Sequence, residues 1–393
     1  MIVVIADDFT GAAEIGGVAL RYGLAAEVQT EFNAYADVDL IVVDADTRSC
    51  TAEEAAQRVA SLAKLFRQDA IEHVFKKVDS VLRGQVIAEL TALLGVWGKP
   101  RTLLVPANPG LGRVISGGHY FINGQPLHET DFSRDPEYPA TTSDVLAILG
   151  PSGDWSVRVL QSGEALPDRG IFVGEVGREA DVAAWARKLD DTTLPAGAAE
   201  FFGSFLTAMG FGLVERAPAE VGSMEYANAL FVCGSTSAYS RSFRQQCEAH
   251  GIPVLRMPSG LFGITPQSPD LIREWADATV KALKAHPRVM VAVDQPLRRD
   301  PDLPQILSGH LGELVAQVMD RQRVHHLFAE GGATAVALVR QFGWKRLQVR
   351  RELAPGVVCM QIEGQMRPLL TMKPGSYAWP DEVWKVEIPK EIN

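Results

Sequence analysis

Two adjacent aspartates at the end of an apolar run are the first residues of this chain equipped for chemistry. In MIVVIADDFTGA (residues 1–12), Ile2 to Ala6 lead directly into Asp7 and Asp8, and Thr10 and Gly11 follow. An alanine-rich segment from Ala12 to Tyr22 then reads as a helix. Buried strand, polar turn and helix in that order make the βα junction at which open α/β sheets hold their ligands. Neighbouring carboxylates there repel each other and lose hydration, which opposes ionisation unless something compensates. The plainer alternative is a helix N-cap, from Asp8 or Thr10, beside a solvated neighbour.

Three further strand ends in the first half carry groups suited to anions. Arg48 follows the apolar run in DLIVVDADTRS (39–49), and Arg113 and Arg134 lie in a long loop. In KKVDSVLRG (76–84), Lys77, Asp79, Ser80 and Arg83 fall within seven residues at a strand-to-helix turn. Arginine offers a bidentate fork to a carboxylate, and lysine a mobile point charge. Asp and Ser can read hydroxyls, so the combination suits a small hydroxy-acid; a solvated charge cluster is the alternative.

In the second half the glycines matter. CGSTS (233–237) and EGGATA (330–335) each follow a strand and open a helix, and KPGSY (373–377) supplies another turn. Backbone N–H groups and hydroxyls in such turns can cradle phosphate oxygens. Each turn alone has a steric explanation, but three in one half favour a nucleotide-phosphate site. The P-loop pattern GxxxxGK(S/T) is absent, and no GxGxxG follows the first strand. A haloacid-dehalogenase-type DxDxT motif fits Asp8 and Thr10 but has Ala6 at the nucleophile position, and GxSxG is absent. His325-His326, inside a strand, read as edge or core residues, and no metal ligands are assigned.

The elements that must position these groups alternate. Apolar strands open the segments 39–49, 72–84 and 101–110, with helices between them over Thr51–Arg67, where Thr51 and Glu54 are spaced as a capping box, and Gln85–Val96. Residues 107–140 break the rhythm with Gly, Pro, Asn and Asp. Within them HYFINGQPL reads as a hairpin turning at Asn123-Gly124, and so long an insertion suits a lid or binding loop. Strands at 157–160 and 170–176 and helices near Arg178–Leu189 and Ala198–Met209 follow, and LVERAPAEVGSM (213–224) looks like a linker. Segments at 229–240, 253–257, 288–294, 325–335 and 356–362 restart the alternation, with helices over Ile272–Lys284 and Pro304–Met319. The pattern predicts two α/β domains with mostly parallel sheets.

Composition narrows the function classes. At 393 residues, 47% hydrophobic and with a net charge of −10, the chain can bury two full cores, and it has no Lys/Arg block for a nucleic-acid partner. Four widely spaced cysteines without a CxxC disfavour a disulfide framework or structural zinc. Met1 leads straight into the first strand, with no basic leader, and no apolar run is long enough to span a bilayer. The expectation is a cytoplasmic protein that needs no membrane partner.

ADDFTGA (6–12), KKVDSVLRG, the loop GHYFINGQPLHETDFSRDPEYP (118–139), CGSTS, EGGATA and KPGSY occur together and in order. On these strings the chain resembles the four-carbon acid sugar kinase family over nearly its whole length, the ET-F-RDP-P pattern of the long loop being the most specific match. The resemblance implies an N-terminal acid-sugar-binding α/β domain over 1–222 and a C-terminal ATP-binding α/β domain over 223–393, with the active site in the interdomain cleft. It implies phosphorylation of the terminal hydroxyl of threonate, erythronate or 3-oxo-tetronate, with ATP and Mg2+ as cofactors. Its substrate motifs fall on Asp8, Arg48, Lys77, Asp79, Ser80 and Arg83, and its ATP motifs on Ser235, Gly331, Gly332, Ala333, Thr334 and Gly375. Arg48, Lys77 or Arg83 would then clamp the substrate carboxylate, and Asp8 or Asp79 would accept the hydroxyl proton, with Lys77 in the catalytic set. The sequence departs from the family at Val81, usually threonine, at Asn108–Arg113, usually Pro-Glu-Ala-Gly-Arg, and at Ala333, usually Asp or Glu. Two alternatives stay in view, a catalytically silent acid-sugar or nucleotide sensor, which Ala333 makes conceivable, and a phosphotransferase acting on the carboxylate. The apolar surfaces of two α/β domains are compatible with a homodimer.

Overall fold

The computed structural model describes residues 1–69, 71, 73–135, 137–214, 228–262, 270–294, 303–375 and 377–384. The chain divides into two compact units, Met1–Val214 and Glu215–Asn393. The boundary expected at 222/223, and all of the expected linker except Leu213 and Val214, lie outside the described residues.

In the first unit the chain runs β1 (Ile2–Ala6), α1 (Phe9–Arg21), β2 (Ala26–Gln29), β3 (Leu40–Asp44), α2 (Ala52–Gln68), β4 (His73–Lys77), α3 (Val86–Trp97) and β5 (Arg101–Val105). A small antiparallel sheet follows, β6 (Arg113–Ser116), β7 (His119–Ile122) and β8 (Gln125–Pro126), then α4 (Val145–Leu149), β9 (Val157–Leu160), β10 (Gly170–Gly174), α5 (Glu179–Ala186), β11 (Thr193–Gly197) and α6 (Ala199–Ala208). The main sheet has the order β2-β3-β1-β4-β11-β5-β10-β9 and is parallel throughout. Strands such as IVVIA and LIVVD are buried along their whole length, as a sheet covered on both faces requires.

Local chemistry sets the element ends. Asp8 takes the N-cap of α1, accepting Gly11 N–H at 2.7 Å, so this helix starts at Phe9, earlier than the expected Ala12. The capping box of α2 forms between Thr51 and Glu54. The hairpin turns at Asn123-Gly124, both at positive φ, the backbone its two-residue turn needs. The sequence pattern passed over β2 and β11. TLPAG has no β-branched run and carries Pro195, yet β11 is buried along its length, pairing with β5 over all five residues and with β4 only at Ala196 and Gly197.

The second unit runs β12 (Ala229–Cys233), α7 (Ala238–Ala249), β13 (Val254–Arg256), α8 (Asp270–Ala285), β14 (Arg288–Ala292), α9 (Leu303–Met319), β15 (His326–Glu330), α10 (Gly332–Gln341), β16 (Arg346–Ala354), β17 (Val357–Ile362) and β18 (Leu369–Lys373). Its order is β13-β14-β12-β15-β18-β17-β16, parallel up to β18 and antiparallel beyond it. His326 is a core residue, as its strand context suggested. It is 1% exposed, its ring lies 2.7 Å from the Thr371 hydroxyl, and burial pushes it down to about 3, so it is neutral. No described helix is long and apolar enough to cross a membrane.

Alternation along β4 sends Phe75 into an aromatic cluster with Phe201, Phe202 and Phe205 of α6, ring centroids 5.0–5.9 Å away. Phe75 is fully buried two residues before Lys77. Phe75→Ala should therefore cost about 3–5 kcal/mol of stability. Urea unfolding, with an unchanged m-value, is the measurement.

Candidate functional site

Both units place their chemistry where strand order reverses. The chain leaves β1 towards β2 on one side and β4 towards β5 on the other, and β1 and β4 are neighbours. They flank a topological switch point, beyond whose carboxyl ends open α/β sheets form their ligand crevice. Ala6 is level with Asp44 and with Lys77, so the turns carrying Asp7-Asp8, Arg48 and Asp79–Arg83 emerge side by side.

Arg48 is the hub of that cluster. Its Nε donates to Asp7 Oδ2 at 2.8 Å and its Nη1 to Asp8 Oδ2 at 2.5 Å, while Nη2 lies 3.6 Å from Asp79 Oδ1. Its backbone is pinned as well, because the Thr47 and Arg48 N–H groups donate to Asp7 O and the Tyr138 hydroxyl donates to Arg48 O. Gly84, at φ +87°, makes room for it: a Cβ there would sit 3.3 Å from the Arg48 backbone. Arg83 grips Asp79 with two hydrogen bonds, 3.1 and 2.8 Å, and donates to Asp135 Oδ2 at 2.8 Å. Arg113 donates to the Ser80 hydroxyl, and the Tyr120 hydroxyl to Ser80 O. Both Arg83 and Arg113 stack over the Phe132 ring, at 5.5 and 5.7 Å. Lys77 Nζ lies 3.3 Å from Glu14 Oε2.

The structure thus brings all six residues expected for the acid sugar, Asp8, Arg48, Lys77, Asp79, Ser80 and Arg83, into one group of turns. It adds Asp7, Glu14, Arg113, Tyr120, Phe132, Asp135 and Tyr138. Asp135, Phe132 and Tyr138 belong to the long loop, whose unusual composition was the available signal. What no sequence pattern shows is that this loop closes on Arg83 and Arg48.

Electrostatics separates the acids. Burial opposes ionisation of Asp79, but Arg83 and Arg48 outweigh it and hold the carboxyl well below the usual range. Asp7 is likewise lowered, by Arg48 and then by Lys76 and Lys77, against burial. Asp8 is raised, because burial and repulsion from Asp7 exceed the pull of Arg48. Its side chain is also the more accessible, 21% exposed against 3% for Asp7 and 7% for Asp79. Asp44, at the end of β3, is pushed up to about 8 by burial and by Asp46 and Asp8.

In the second unit the chain leaves β12 towards β13 and β15 towards β16, on opposite sides, so the neighbouring β12 and β15 flank another switch point. Ser235 follows β12, Gly331–Thr334 follows β15, and Gly375 follows β18. A Cβ on Gly375 would lie 3.0 Å from Ser235 Oγ and 3.9 Å from Gly331 Cα, so the three turns meet. The Ser237 hydroxyl donates to Gly375 O at 2.8 Å. Gly331 sits at φ +99°, and α10 starts behind it with no side-chain cap, the kind of helix N-terminus whose first N–H groups can take an anion. Ala333 adds no side-chain donor, and Thr334 is buried.

Residues 2–195 match the model of a sugar-binding N-terminal domain, and residues 230–377 that of a nucleotide-binding C-terminal domain. A D-threonate kinase of Cupriavidus necator is 30% identical over 385 residues, covering 90% of this chain and 89% of that one. The chain belongs to the four-carbon acid sugar kinase family. A second member, a 3-oxo-tetronate kinase of Methylobacterium radiotolerans, is 26% identical, with 96% of each chain covered. A solved structure from Salmonella typhimurium LT2 shares the fold with a TM-score of 0.75 at 18% identity, covering 96% of each chain. The switch-point clusters therefore sit on the fold of four-carbon acid sugar kinases, one in each of the two matched domains.

Asp44 gives the cluster a measurable pH signature. Its ordinary value is about 3.9, and its folded value about 8, so between these the folded state binds the extra proton. Stability contributed by this group falls as pH rises through that window and levels off above it. Asp44→Asn should gain stability relative to wild type progressively from about pH 4 to pH 8, by at most about 1.4 kcal/mol per pH unit. Urea titrations across that range test it, and a pH-independent difference would contradict the assignment.

Proposed function

We propose that the chain transfers the γ-phosphoryl group of ATP to the terminal hydroxyl of a four-carbon acid sugar, with the acid sugar held by the first unit's cluster and the nucleotide phosphates by the second unit's turns. The observation that carries this reading is the Arg48–Asp8 pair at the first switch point, in a chain that matches relatives named D-threonate, 3-oxo-tetronate and D-erythronate kinase. Those names do not favour the silent-sensor or carboxylate-transfer alternatives.

Phosphoryl transfer asks for positioning and charge neutralisation more than covalent help. Arg48 is the clamp for the substrate carboxylate. A carboxylate that takes its Nη1 displaces Asp8, which then loses its strongest stabilising partner. Its proton affinity, already raised, climbs further, and Asp8 becomes the base that accepts the hydroxyl proton. Asp79 has the opposite part. Locked to Arg83 and held strongly acidic, it is a weak base, and it keeps Arg83 and Arg48 oriented. Lys77 brings positive charge to the same turns, and the Ser80 hydroxyl, held by Arg113, reads substrate hydroxyls.

Magnesium fits this site only in company with the nucleotide. It keeps several waters and is usually held by phosphates with one or two protein ligands. The described residues contain no cluster of three His, Cys, Asp or Glu side chains able to hold a metal. The Ser235 hydroxyl is one ligand that the turns could offer such an ion, which would supply charge neutralisation at the phosphates.

An ADP-release assay with Mg-ATP against D- and L-threonate, D- and L-erythronate, 3-oxo-tetronate, glycerate and five-carbon acids tests the reading. Turnover on a four-carbon acid, with a phosphate ester seen by phosphorus NMR, is the expected result; an acyl phosphate, or silence across the panel, would refute it. Asp8→Asn should lower kcat about 10²- to 10⁴-fold, the usual worth of a general base, with a much smaller change in KM for the acid. A raised KM with kcat preserved would instead make Asp8 a holder of Arg48.

A further inference from the structure

The three glycine turns of the second unit hang on one carboxylate, the glutamate that opens the EGGATA string. Glu330 ends β15, immediately before Gly331, and is 1% exposed. Register places it level with Cys233 at the end of β12 and with Lys373 at the end of β18. Lys373, also 1% exposed, lies with its Nζ 3.1 Å from Glu330 Oε1, and the same Nζ donates to Pro374 O at 3.3 Å, directly ahead of Gly375. The Ser240 hydroxyl, in the first turn of α7, donates to Glu330 Oε1. Ser240 N–H in turn donates to Ser237 Oγ at 3.1 Å, the hydroxyl that reaches Gly375 O. From beyond the third turn, Trp379 Nε1 donates to Glu330 Oε2 at 3.1 Å.

One buried anion therefore receives a donor from the segment after β12, a cation from the segment before the β18 turn, and an indole from the segment after it, while its own residue opens the β15 turn. We propose that Glu330 is the positioning residue of the nucleotide site, fixing the mutual register of the Ser235, Gly331–Thr334 and Gly375 turns so that their N–H groups converge on phosphate oxygens. The assignment rests on reading those turns as the nucleotide site. Its physical basis is that a buried ion pair contributes little net stability but is costly to break one-sidedly, so it selects a single arrangement of the segments it joins. Loss of the charge on Glu330 leaves Lys373 buried without a counter-ion, and the turns that Lys373 and Ser240 lead into lose their common reference.

The test is Mg-ATP binding by calorimetry to wild type, Glu330→Gln, Ser240→Ala and the double variant, with KM for the acid sugar measured alongside. The dissociation constant for ATP should rise about 10- to 100-fold in Glu330→Gln, the worth of a hydrogen bond to a charged group. It should rise less in Ser240→Ala, and the double variant should be no worse than Glu330→Gln, since both act through one contact. KM for the acid sugar should stay put. If Glu330→Gln fails to fold, Ser240→Ala decides, because it removes one donor at almost no change in volume. Wild type that binds ATP while the folded variants bind it equally tightly would overturn this assignment alone. Equal losses in ATP and acid-sugar binding would overturn it too, as the mark of a general structural role. Wild type that binds no ATP would sink the nucleotide reading and the assignment with it.

Discussion

Everything in the first unit's site depends on one guanidinium facing too many carboxylates. Arg48 serves Asp7, Asp8 and Asp79 at once. Three anions converging on a largely buried point would be untenable without it, since each loses hydration and repels the others. The cation does not treat them equally. Asp79 has a second arginine and stays strongly acidic, Asp7 has Lys76 and Lys77 besides Arg48, and Asp8, with Arg48 and Lys77, is raised by burial and by repulsion from Asp7. A graded set of proton affinities thus comes out of a nearly uniform set of residue types, and the grading follows from who else each carboxylate touches.

The two units solve the same problem in the same way. Lys76 pairs with Glu89 at 3.1 Å and donates to the carbonyl of the next residue, Lys77, at 2.9 Å, while the Thr47 hydroxyl donates to Glu89. Lys373 pairs with Glu330 at 3.1 Å and donates to the carbonyl of the next residue, Pro374, at 3.3 Å, while the Ser240 hydroxyl donates to Glu330. Each lysine lies at the carboxyl end of a parallel strand that supplies a turn to its site. Each glutamate takes a hydroxyl from another of those turns or from the helix that follows one. All four charged side chains are at most 1% exposed. Such pairs contribute little net stability, but losing either partner leaves the other charge buried and unpaired.

Much of this was legible in the sequence because parallel sheets write themselves plainly. Both faces of β1, β3 and β12 are covered, so they read as unbroken apolar runs, and the turn after each must carry the polar chemistry. That located Asp8, Arg48, Lys77, Asp79, Ser80, Arg83 and the three glycine turns. Strands lacking that signature were missed: β2 is AEVQ, β11 carries a proline and a glycine, and β18 ends in the lysine that was read as part of a turn. The strand order was also out of reach, because it depends on which side each crossover takes, and the switch points follow only from that order.

The parts of the site that stayed hidden share a physical cause. Glu89 and Ser240 sit inside helices, where an isolated polar residue looks like any solvated one, and Glu330, though it opens EGGATA, stands ahead of the glycines that drew notice; their burial becomes visible only once the strands are in register. Asp8 shows the complementary case. It is the N-cap of α1 and a partner of Arg48 together, one carboxylate oxygen taking Gly11 N–H and the other the guanidinium. The plain structural reading and the functional reading were therefore not rivals. The cap fixes the rotamer that aims the second oxygen at Arg48, and a carboxylate that also takes a helix N-terminal N–H is not left bare in the interior even where its other contact is broken.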